Sequence, residues 1–303
     1  MGGYYNIYIQ KASLPADTKR DILQGDTMLR GIYTGASGMI AQQERMDTVA
    51  NNLANVDKTG FKKDLAVFKA FPDMLIRRIN DNGQGITPTG SYDTAPYVGK
   101  LGTGVEVNEV FTDFDQGSLQ RTENNFDLAL DGKGFFTVKT ERGERYTRNG
   151  SFTINQDGIL MTHTGYPVMG ENGIIRVQQN NFTINERGEI LVNQAIDPND
   201  LASMANNDWS QPVVQDRLKL VDFEKIREIK KEGDSLWKET EFSGPPLPPE
   251  NVKVVQGFLE KSNVNMIREM VDMIEVQRSY EANQKAVQAH DTELGRLISD
   301  VAR

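Results

Sequence analysis

Few residues in this sequence could do chemistry, and they are scattered. The chain has two histidines and no cysteine among its 303 residues. Without cysteine there is no thiolate nucleophile, disulfide or cysteine-ligated metal. His163 lies in a β-rich stretch and His290 in a C-terminal helical stretch, and neither has a second ligand at metal-site spacing. We therefore predict no catalytic residue, metal site or cofactor.

The acidic and glycine-containing motifs do not match known binding sites either. Asp113-Phe114-Asp115-Gln116-Gly117 begins like a calcium loop but lacks the glycine at position six and the glutamate at position twelve. Asp131-Gly132-Lys133-Gly134 lacks the third glycine and the following helix of a phosphate cradle, so it predicts a turn. Asp113, Asp115 and Asp127 form the only local carboxylate cluster. They keep one alternative open, a wall-directed enzyme or carbohydrate-binding module.

Composition excludes further classes. The chain carries 34 Lys and Arg against 43 Asp and Glu, a net charge of −9, without a basic run that could neutralise phosphates. We therefore expect no nucleic-acid partner. Asn and Gln together number 40, and such amides suit turns and wet protein interfaces better than acid–base chemistry on a small-molecule substrate. No run of about 18 apolar residues predicts a membrane span, and the first residues lack the features of a secretory signal.

Helical periodicity lies at the two ends of the chain. Seven-residue spacings recur from Leu29 to Leu53 and from Met266 to Val301, which favours a coiled-coil seam over a broad amphipathic face. We predict helices over 29–56 and 258–301 that pair with each other and between subunits. Ordinary amphipathic helices on a globular core are the alternative. The predicted assembly-interface residues are Leu29, Ile32, Ala36, Met39, Gln43, Met46, Ala50, Leu53, Met266, Met270, Met273, Gln277, Tyr280, Gln284, Val287, Leu294, Ile298 and Val301.

The middle of the chain predicts β structure. Phe152-Thr153-Ile154-Asn155 and Phe182-Thr183-Ile184-Asn185 each begin a strand–turn–strand unit, 30 residues apart. The fold class is thus α+β, with paired terminal helices and a central all-β domain. We predict a helical domain from 28–71 plus 257–303, and a central domain over 72–256 with a long loop at 72–104.

Several motifs resemble a known family. Met28-Leu29-Arg30-Gly31-Ile32-Tyr33-Thr34-Gly35-Ala36-Ser37-Gly38-Met39, followed by Asn51-Asn52-Leu53-Ala54-Asn55-Val56 and Thr59-Gly60-Phe61-Lys62, is similar to the N-terminal signature of bacterial flagellar rod and hook proteins. Gln277-Arg278-Ser279-Tyr280-Glu281-Ala282-Asn283 resembles their C-terminal signature, and Tyr146-Thr147-Arg148-Asn149-Gly150-Ser151-Phe152 their central hairpin. The resemblance covers residues 28–303. Its length and central motifs resemble the proximal rod protein first and the distal rod protein next.

The resemblance implies a structural subunit that leaves the cell through the flagellar type III export apparatus. Such a subunit would join the periplasmic rod of the basal body and transmit torque to the hook. Its partners would be copies of itself, other rod and hook subunits, the export apparatus and the surrounding rings. A cytoplasmic coiled-coil scaffold is a further alternative. Because the family motif begins at Met28, we expect residues 1–27 to be an N-terminal extension. An upstream start codon would explain it, and a real extension that contacts a neighbouring subunit is the alternative.

Overall fold

A computed structural model describes residues 16–77, 85–87, 90–92, 97–178, 181–193 and 212–301. The described residues form two long helices and a large set of short strands, which confirms the predicted α+β class. Helix α1 spans Ala16–Ala54 and helix α2 spans Met266–Val301. A 3₁₀ turn covers Ile226–Glu228. The strands are β1 Asp64–Ala70, β2 Met74–Arg77, β3 Gly85–Thr87, β4 Gly90–Tyr92, β5 Tyr97–Leu101, β6 Val105–Thr112, β7 Leu119–Arg121, β8 Leu128–Asp131, β9 Phe135–Thr140, β10 Gly143–Thr147, β11 Phe152–Ile154, β12 Leu160–Thr162, β13 Phe182–Ile184, β14 Glu189–Val192, β15 Val213–Arg217, β16 Leu220–Val221, β17 Lys230–Gly233, β18 Leu236–Lys238, β19 Lys253–Gln256 and β20 Phe258–Glu260.

The chain divides into two compact units. Unit 1 contains the described residues within 1–46, 66–109 and 274–303, and unit 2 those within 47–65 and 110–273. Unit 1 therefore holds most of both helices together with the β2–β5 and β3–β4 pairs, whereas unit 2 holds the larger sheets. This division differs from the predicted one, in which all of 72–104 was a loop of the β domain.

Strand β9 organises the core of unit 2. It lies inside the five-stranded sheet, in the order β16-β9-β10-β18-β17, and its successive side chains point to opposite faces. Phe136 and Val138 join one cluster with Phe152 and Leu160, while Phe135 joins a second cluster on the other face. Because each buried Phe contributes roughly 1.5–3 kcal/mol, burial on both faces makes this strand the main organiser of the domain.

The two predicted strand–turn–strand units are confirmed as hairpins. β11 pairs with β12, and β13 pairs with β14, in antiparallel register. In each turn an asparagine side-chain oxygen accepts two backbone N–H bonds: Asn155 Oδ1 at 3.0 and 2.9 Å, and Asn185 Oδ1 at 3.0 and 3.0 Å. The glycines of these turns, Gly158 and Gly188, have φ of 74° and 77°, a conformation that favours glycine.

Three boundaries differ from prediction. Helix α1 begins well before residue 29, at Ala16, and ends at Ala54. Helix α2 begins at Met266 rather than at 258, because Phe258–Glu260 forms a strand paired with β7. The Asn265 side chain caps the helix by accepting the backbone N–H of Arg268 at 3.1 Å.

The expected loop at 72–104 contains two pairs of strands in its described part, β2 with β5 and β3 with β4. Met74–Arg77 pairs with Tyr97–Leu101, although residues 78–84, 88–89 and 93–96 lie outside the described residues. The segment is rich in Gly, Pro, Asn, Asp and Thr. The apolar residues that form the ladder are concentrated at its two ends, so composition taken over the whole stretch hid them.

Candidate assembly surfaces

The side chains that could have served catalysis or metal binding stabilise local structure instead. His163 Nε2 and Ser151 Oγ lie 2.9 Å apart, where Ser151 precedes β11 and His163 follows β12. Because β11 and β12 pair, this hydrogen bond ties together two partners of one hairpin. The exposed imidazole therefore belongs to a cross-strand contact.

The candidate carboxylate cluster is likewise engaged in structural contacts. An Asp113 carboxylate oxygen lies 3.2 Å from Lys63 Nζ, and Asp113 Oδ1 also accepts the backbone N–H of Asp115 at 3.0 Å. Asp127 Oδ1 accepts a hydrogen bond from Asn124 Nδ2 at 3.2 Å. Through these contacts, Asp113 and Asp127 hold their loops in place.

The described part of the chain lacks both a metal-binding cluster and a membrane-spanning helix. It contains no group of three or more His, Asp or Glu side chains placed to hold a metal ion. Within the same ranges, neither helix is long and apolar enough to cross a membrane.

Three glycines of α1 face α2 at very short range within unit 1. A Cβ built on Gly31 would lie 2.6 Å from His290 Nε2, one on Gly35 would lie 2.7 Å from Val287 Cγ2, and one on Gly38 would lie 2.9 Å from Asn283 Nδ2. Real Cβ atoms do not come so close to neighbouring atoms, so only glycine allows this separation. The glycines therefore set the distance between the two helices.

The predicted assembly residues of α2 form two seven-residue series, one from Met266 to Val301 and a companion series from Met270 to Ile298. In this single chain Met273, Tyr280, Val287 and Leu294 of the first series are half-buried. The companion residues Met270, Gln277, Gln284 and Asp291 are exposed, as is Ile298. The second inward series consists instead of Glu269, Val276, Asn283 and His290. The seven-residue spacing of apolar residues did not reveal this series, because the series contains polar residues. The glycines that face it on α1 are also not counted as apolar.

The eighteen predicted assembly residues divide by exposure in this single chain. The side chains of Leu29 and Val301 lie outside the described side chains. The half-buried residues are Ile32, Ala36, Met39, Met46, Leu53, Met273, Tyr280, Val287 and Leu294. The exposed residues are Gln43, Ala50, Met266, Met270, Gln277, Gln284 and Ile298.

An exposed apolar stripe lies on the other side of α2. Ile267, Met270, Val271 and Ile274 follow helical spacing, and Ile267 is 76% exposed. At about 100° per residue, this stripe lies roughly opposite Glu269, Met273 and Val276. We call these four residues the outer stripe. An ordinary surface helix carries polar residues on that side, so the outer stripe indicates a surface for another helix.

A buried ion cluster anchors the ends of both helices to unit 2. Lys62 Nζ lies 2.6 Å from Glu260 Oε1, and Arg148 Nη1 lies 3.4 Å from Glu260 Oε2. All three side chains are at most 3% exposed. Their residues come from the segment after α1, the strand before α2 and the end of β10. We call Lys62, Arg148 and Glu260 the junction triad.

Further hydrogen bonds reach the junction triad, although Arg148 Nε is buried without a hydrogen-bond partner. Lys62 Nζ also donates to the Asp115 carbonyl at 2.7 Å, and Arg148 Nη2 donates to the Gly132 carbonyl at 2.6 Å. The Gly117 N–H donates to Glu260 Oε1 at 2.9 Å. A buried ion pair holds well only when such extra bonds compensate for lost hydration, as they do here.

Two asparagines tether the helix ends within unit 2. Asn52 exchanges hydrogen bonds with the Asp64 backbone, both at 2.9 Å, and its Nδ2 reaches Glu269 Oε2 at 3.4 Å. Asn263 Oδ1 accepts the Lys63 N–H at 2.8 Å, and its Nδ2 donates to the Asp113 carbonyl at 2.9 Å. Asn263 therefore joins two chain segments that are distant in sequence.

Burial shapes the titration of these groups. It lowers the pKa of Lys62, which the Glu260 carboxylate opposes, and it also lowers the pKa of Arg148. Burial lowers the pKa of Lys231 as well, against the pull of the Asp64 carboxylate 2.7 Å away. Sequence reasoning assigned no role to these residues, although Lys62 and Arg148 lie inside motifs that carry the family resemblance.

A carboxylate on β17, the edge strand of the five-stranded sheet, gives a pH prediction. Hydrogen bonds from Arg145 and Arg142 lower the pKa of Glu232 from 4.5 to about 2. A lowered carboxyl pKa stabilises the fold above the unfolded value, and this contribution is lost as the pH falls from 4.5 towards 2. Glu232→Gln should therefore flatten the decline of the melting temperature over that range. Glu141→Gln at the neighbouring turn is the control, and identical acid melting curves for Glu232→Gln and the unmodified chain would contradict the prediction.

Three family profiles match separate parts of the chain. Residues 32–62 match "Flagella basal body rod protein", residues 129–192 match "Flagellar hook protein FlgE/F/G D1 domain", and residues 255–300 match "Flagellar basal body rod FlgEFG protein C-terminal". The first and last of these ranges contain the junction residues Lys62 and Glu260.

Curated relatives extend the match over most of the chain. The flagellar basal-body rod protein FlgG of Buchnera aphidicola subsp. Acyrthosiphon pisum is 35% identical over 276 residues, which cover 89% of this chain and 99% of the relative. FlgG of Borreliella burgdorferi is 36% identical, over 88% of this chain and 97% of the relative. The rod protein FlgF of Caulobacter vibrioides is 32% identical, over 84% of this chain and 91% of the relative.

Proposed function

The chain belongs to the flagellar basal-body rod protein family, and from that premise we propose that its terminal helices polymerise it into the rod. It is a structural subunit of the flagellar basal body. The wall-directed enzyme, the carbohydrate-binding module and the cytoplasmic scaffold receive no support from these relatives. The preference for the proximal over the distal rod protein stays a prediction.

The outer stripe is the observation that carries the assembly proposal. Burying its four apolar side chains against another subunit would contribute roughly 1.5–3 kcal/mol for each residue fully covered. The inward face of α2 is occupied within its own chain, so the outer stripe is free to meet a neighbour. Contacts between two different surfaces do not close on themselves, and they produce a helical filament such as a rod.

Charge supports contacts between unlike helices. Residues 28–71 carry six basic and four acidic groups, whereas residues 257–303 carry six basic and eight acidic groups. Opposite net charges favour the approach of an N-terminal helix to a C-terminal one over the approach of like helices. The predicted interface residues that are exposed, Gln43, Gln277 and Gln284 among them, would add directional hydrogen bonds and fix the register.

Other parts of the proposal rest on family membership alone. These are passage through the flagellar type III export apparatus, a periplasmic position in the rod, torque transmission to the hook and contacts with the surrounding rings. Other rod and hook subunits are proposed partners at the two ends of the segment that this chain forms.

The test is to place charge on the outer stripe. The double variant Ile267→Asp, Val271→Asp should leave the melting curve of the purified chain unchanged, because both side chains are exposed. In cells it should abolish swimming and remove the chain from isolated basal bodies, since two carboxylates would be buried without partners.

Ala286→Asp is the matched control for this test. It adds one carboxylate, half the charge of the double variant, at an exposed position of the same helix outside the outer stripe. Normal swimming and normal incorporation of the double variant would refute the proposed role of the stripe.

A further inference from the structure

A second exposed apolar patch lies on the outward side of α1, in unit 1. Tyr33 is 72% exposed and Ile40 is 67% exposed, and the half-buried Ala36 lies between them on the same helical face. At about 100° per residue, this face is roughly opposite Gly35 and Gly38, which contact α2. We call Tyr33, Ala36 and Ile40 the α1 patch. Since a surface helix carries polar residues on its outward side, the α1 patch indicates a contact with another molecule.

The α1 patch and the outer stripe of α2 match in length. Tyr33 and Ile40 are seven residues apart in the sequence, and so are Ile267 and Ile274. Two helices whose outward faces carry apolar residues at the same interval of seven can pack against each other over two turns. In an antiparallel arrangement, Tyr33 then lies opposite Ile274 of the other helix, and Ile40 lies opposite Ile267.

The antiparallel direction follows from the way the two helices pair within unit 1. There α1 and α2 run antiparallel, because Gly31 faces His290 and Gly38 faces Asn283. In a filament whose copies all point the same way, α1 of one copy is therefore also antiparallel to α2 of the next copy. The direction that a filament imposes is thus the direction in which the α1 patch is matched with the outer stripe.

The two surfaces cannot meet within one chain. Gly31 and Gly38 place the α1 patch beside the 283–290 part of α2, whereas the outer stripe occupies the 267–274 part. At 1.5 Å per residue, these two parts of α2 are about 24 Å apart along the helix. The α1 patch can therefore cover an outer stripe only in a second copy of the chain.

The charged residues beside the two surfaces are complementary in this antiparallel register. Arg268 and Glu275 are exposed on one side of the outer stripe. Arg30 and Glu44, which also interact within their own chain, are exposed on the corresponding side of the α1 patch. Glu275 and Arg30 then lie about 3 Å apart along the helix axis. Arg268 and Glu44 lie about 7.5 Å apart, and their side chains lean towards each other, since each leans towards the N-terminus of its own helix. Arg278 is near the level of Arg30, and Glu275, three residues before it, offsets this like charge.

We propose that the α1 patch of one copy covers the outer stripe of a second copy in this antiparallel register. The contact joins two different surfaces, so it leaves an unused patch at one end and an unused stripe at the other, and it can repeat without closing. Two outer stripes packed against each other would instead form a closed dimer that cannot extend. This inference rests on the proposed polymerisation and states which surface of the neighbour the outer stripe meets.

Disulfide crosslinking in isolated basal bodies tests the register, since the chain has no cysteine of its own. The double variant Ala36→Cys, Met270→Cys places one cysteine on each surface, at the same level of the contact. After mild oxidation we expect a ladder of linked oligomers on a non-reducing gel. The ladder should be about tenfold stronger than for the control Gln43→Cys, Met270→Cys, whose cysteines lie about 9 Å out of register. Met270→Cys alone is the second control and should give no linked species.

Each outcome decides the proposal. Basal bodies that contain the first double variant but give no ladder overturn it, and so do equal ladders from both double variants. Linked dimers from Met270→Cys alone would show that outer stripes face each other, which also overturns it. If the double variant does not enter basal bodies, Ala36→Cys and Met270→Cys chains are expressed together, and a linked dimer is the expected result. A missing crosslink together with loss of swimming in the outer-stripe variant would refute only this pairing, whereas normal swimming of the stripe variant would refute the assembly role of the stripe itself.

Discussion

Glu260→Gln is expected to lower the free energy of unfolding of unit 2 by about 3–5 kcal/mol. The substitution keeps the size of the side chain but removes its charge. Lys62 and Arg148 would then be buried cations without a carboxylate, since both are at most 3% exposed. Leaving a buried charge unpaired costs far more than losing a surface ion pair.

Urea unfolding followed by fluorescence of Trp237 measures this loss. Trp237 is 2% exposed within unit 2, and a Trp209→Phe background leaves it as the one tryptophan. Glu186→Gln is the matched control, because it breaks an exposed ion pair with Lys253 at a similar distance of 2.8 Å. The control should unfold like the unmodified chain. A loss below about 1 kcal/mol in Glu260→Gln would show that the triad is not a buried charge network.

Lys62→Met should be less damaging than Glu260→Gln. It leaves Glu260 with Arg148 as a partner and with the Gly117 N–H as a donor. The ranking of the two variants therefore tests which charge the cluster depends on. The junction triad joins three chain segments of unit 2, so its loss should also weaken the packing of those segments.

Gly35→Ala and Gly295→Ala are expected to change stability in opposite directions. Both are helical glycines, and alanine in a helix interior is favoured over glycine by about 1 kcal/mol. A Cβ at Gly295 meets nothing within 4 Å, so that variant should melt at a higher temperature. A Cβ at Gly35 would lie 2.7 Å from Val287 Cγ2, and overpacking of this kind typically costs about 1–3 kcal/mol.

Thermal melting followed by the helical circular dichroism signal compares the two variants. A second substitution, Val287→Ala, removes the atom that Cβ of residue 35 would strike. Gly35→Ala combined with Val287→Ala should therefore cost less than the sum of the two single changes. Equal melting temperatures for the two glycine variants would mean that the close approach of α1 and α2 does not require glycine at position 35.

These predictions separate two roles of one helix. The inward face of α2, with Val276, Asn283 and Val287, completes the fold of its own chain. The outer stripe, with Ile267 and Val271, remains for assembly. Changes on the inward face should lower the stability of the isolated chain, whereas changes on the outer stripe should spare the isolated chain and block incorporation.

The sequence by itself determined the class of protein and its main elements. The seven-residue spacings identified both terminal helices, because the residues on one face of a helix recur at fixed intervals in the sequence, whatever the helix packs against. The Asn155 and Asn185 turns were equally readable, since an asparagine followed three residues later by a glycine specifies a tight turn locally. The family motifs then indicated the rod, which the profiles and relatives support.

Only the tertiary structure decided which faces and charges matter. The partner of Lys62 is 198 residues away, and no local pattern encodes a buried ion pair across that separation. The inward face of α2 includes residues that an apolar pattern does not show, because glycines on α1 let polar residues such as Asn283 approach closely. Sequence periodicity shows that a helix has an apolar face, but the side chains of the element that packs against the helix determine which face is buried.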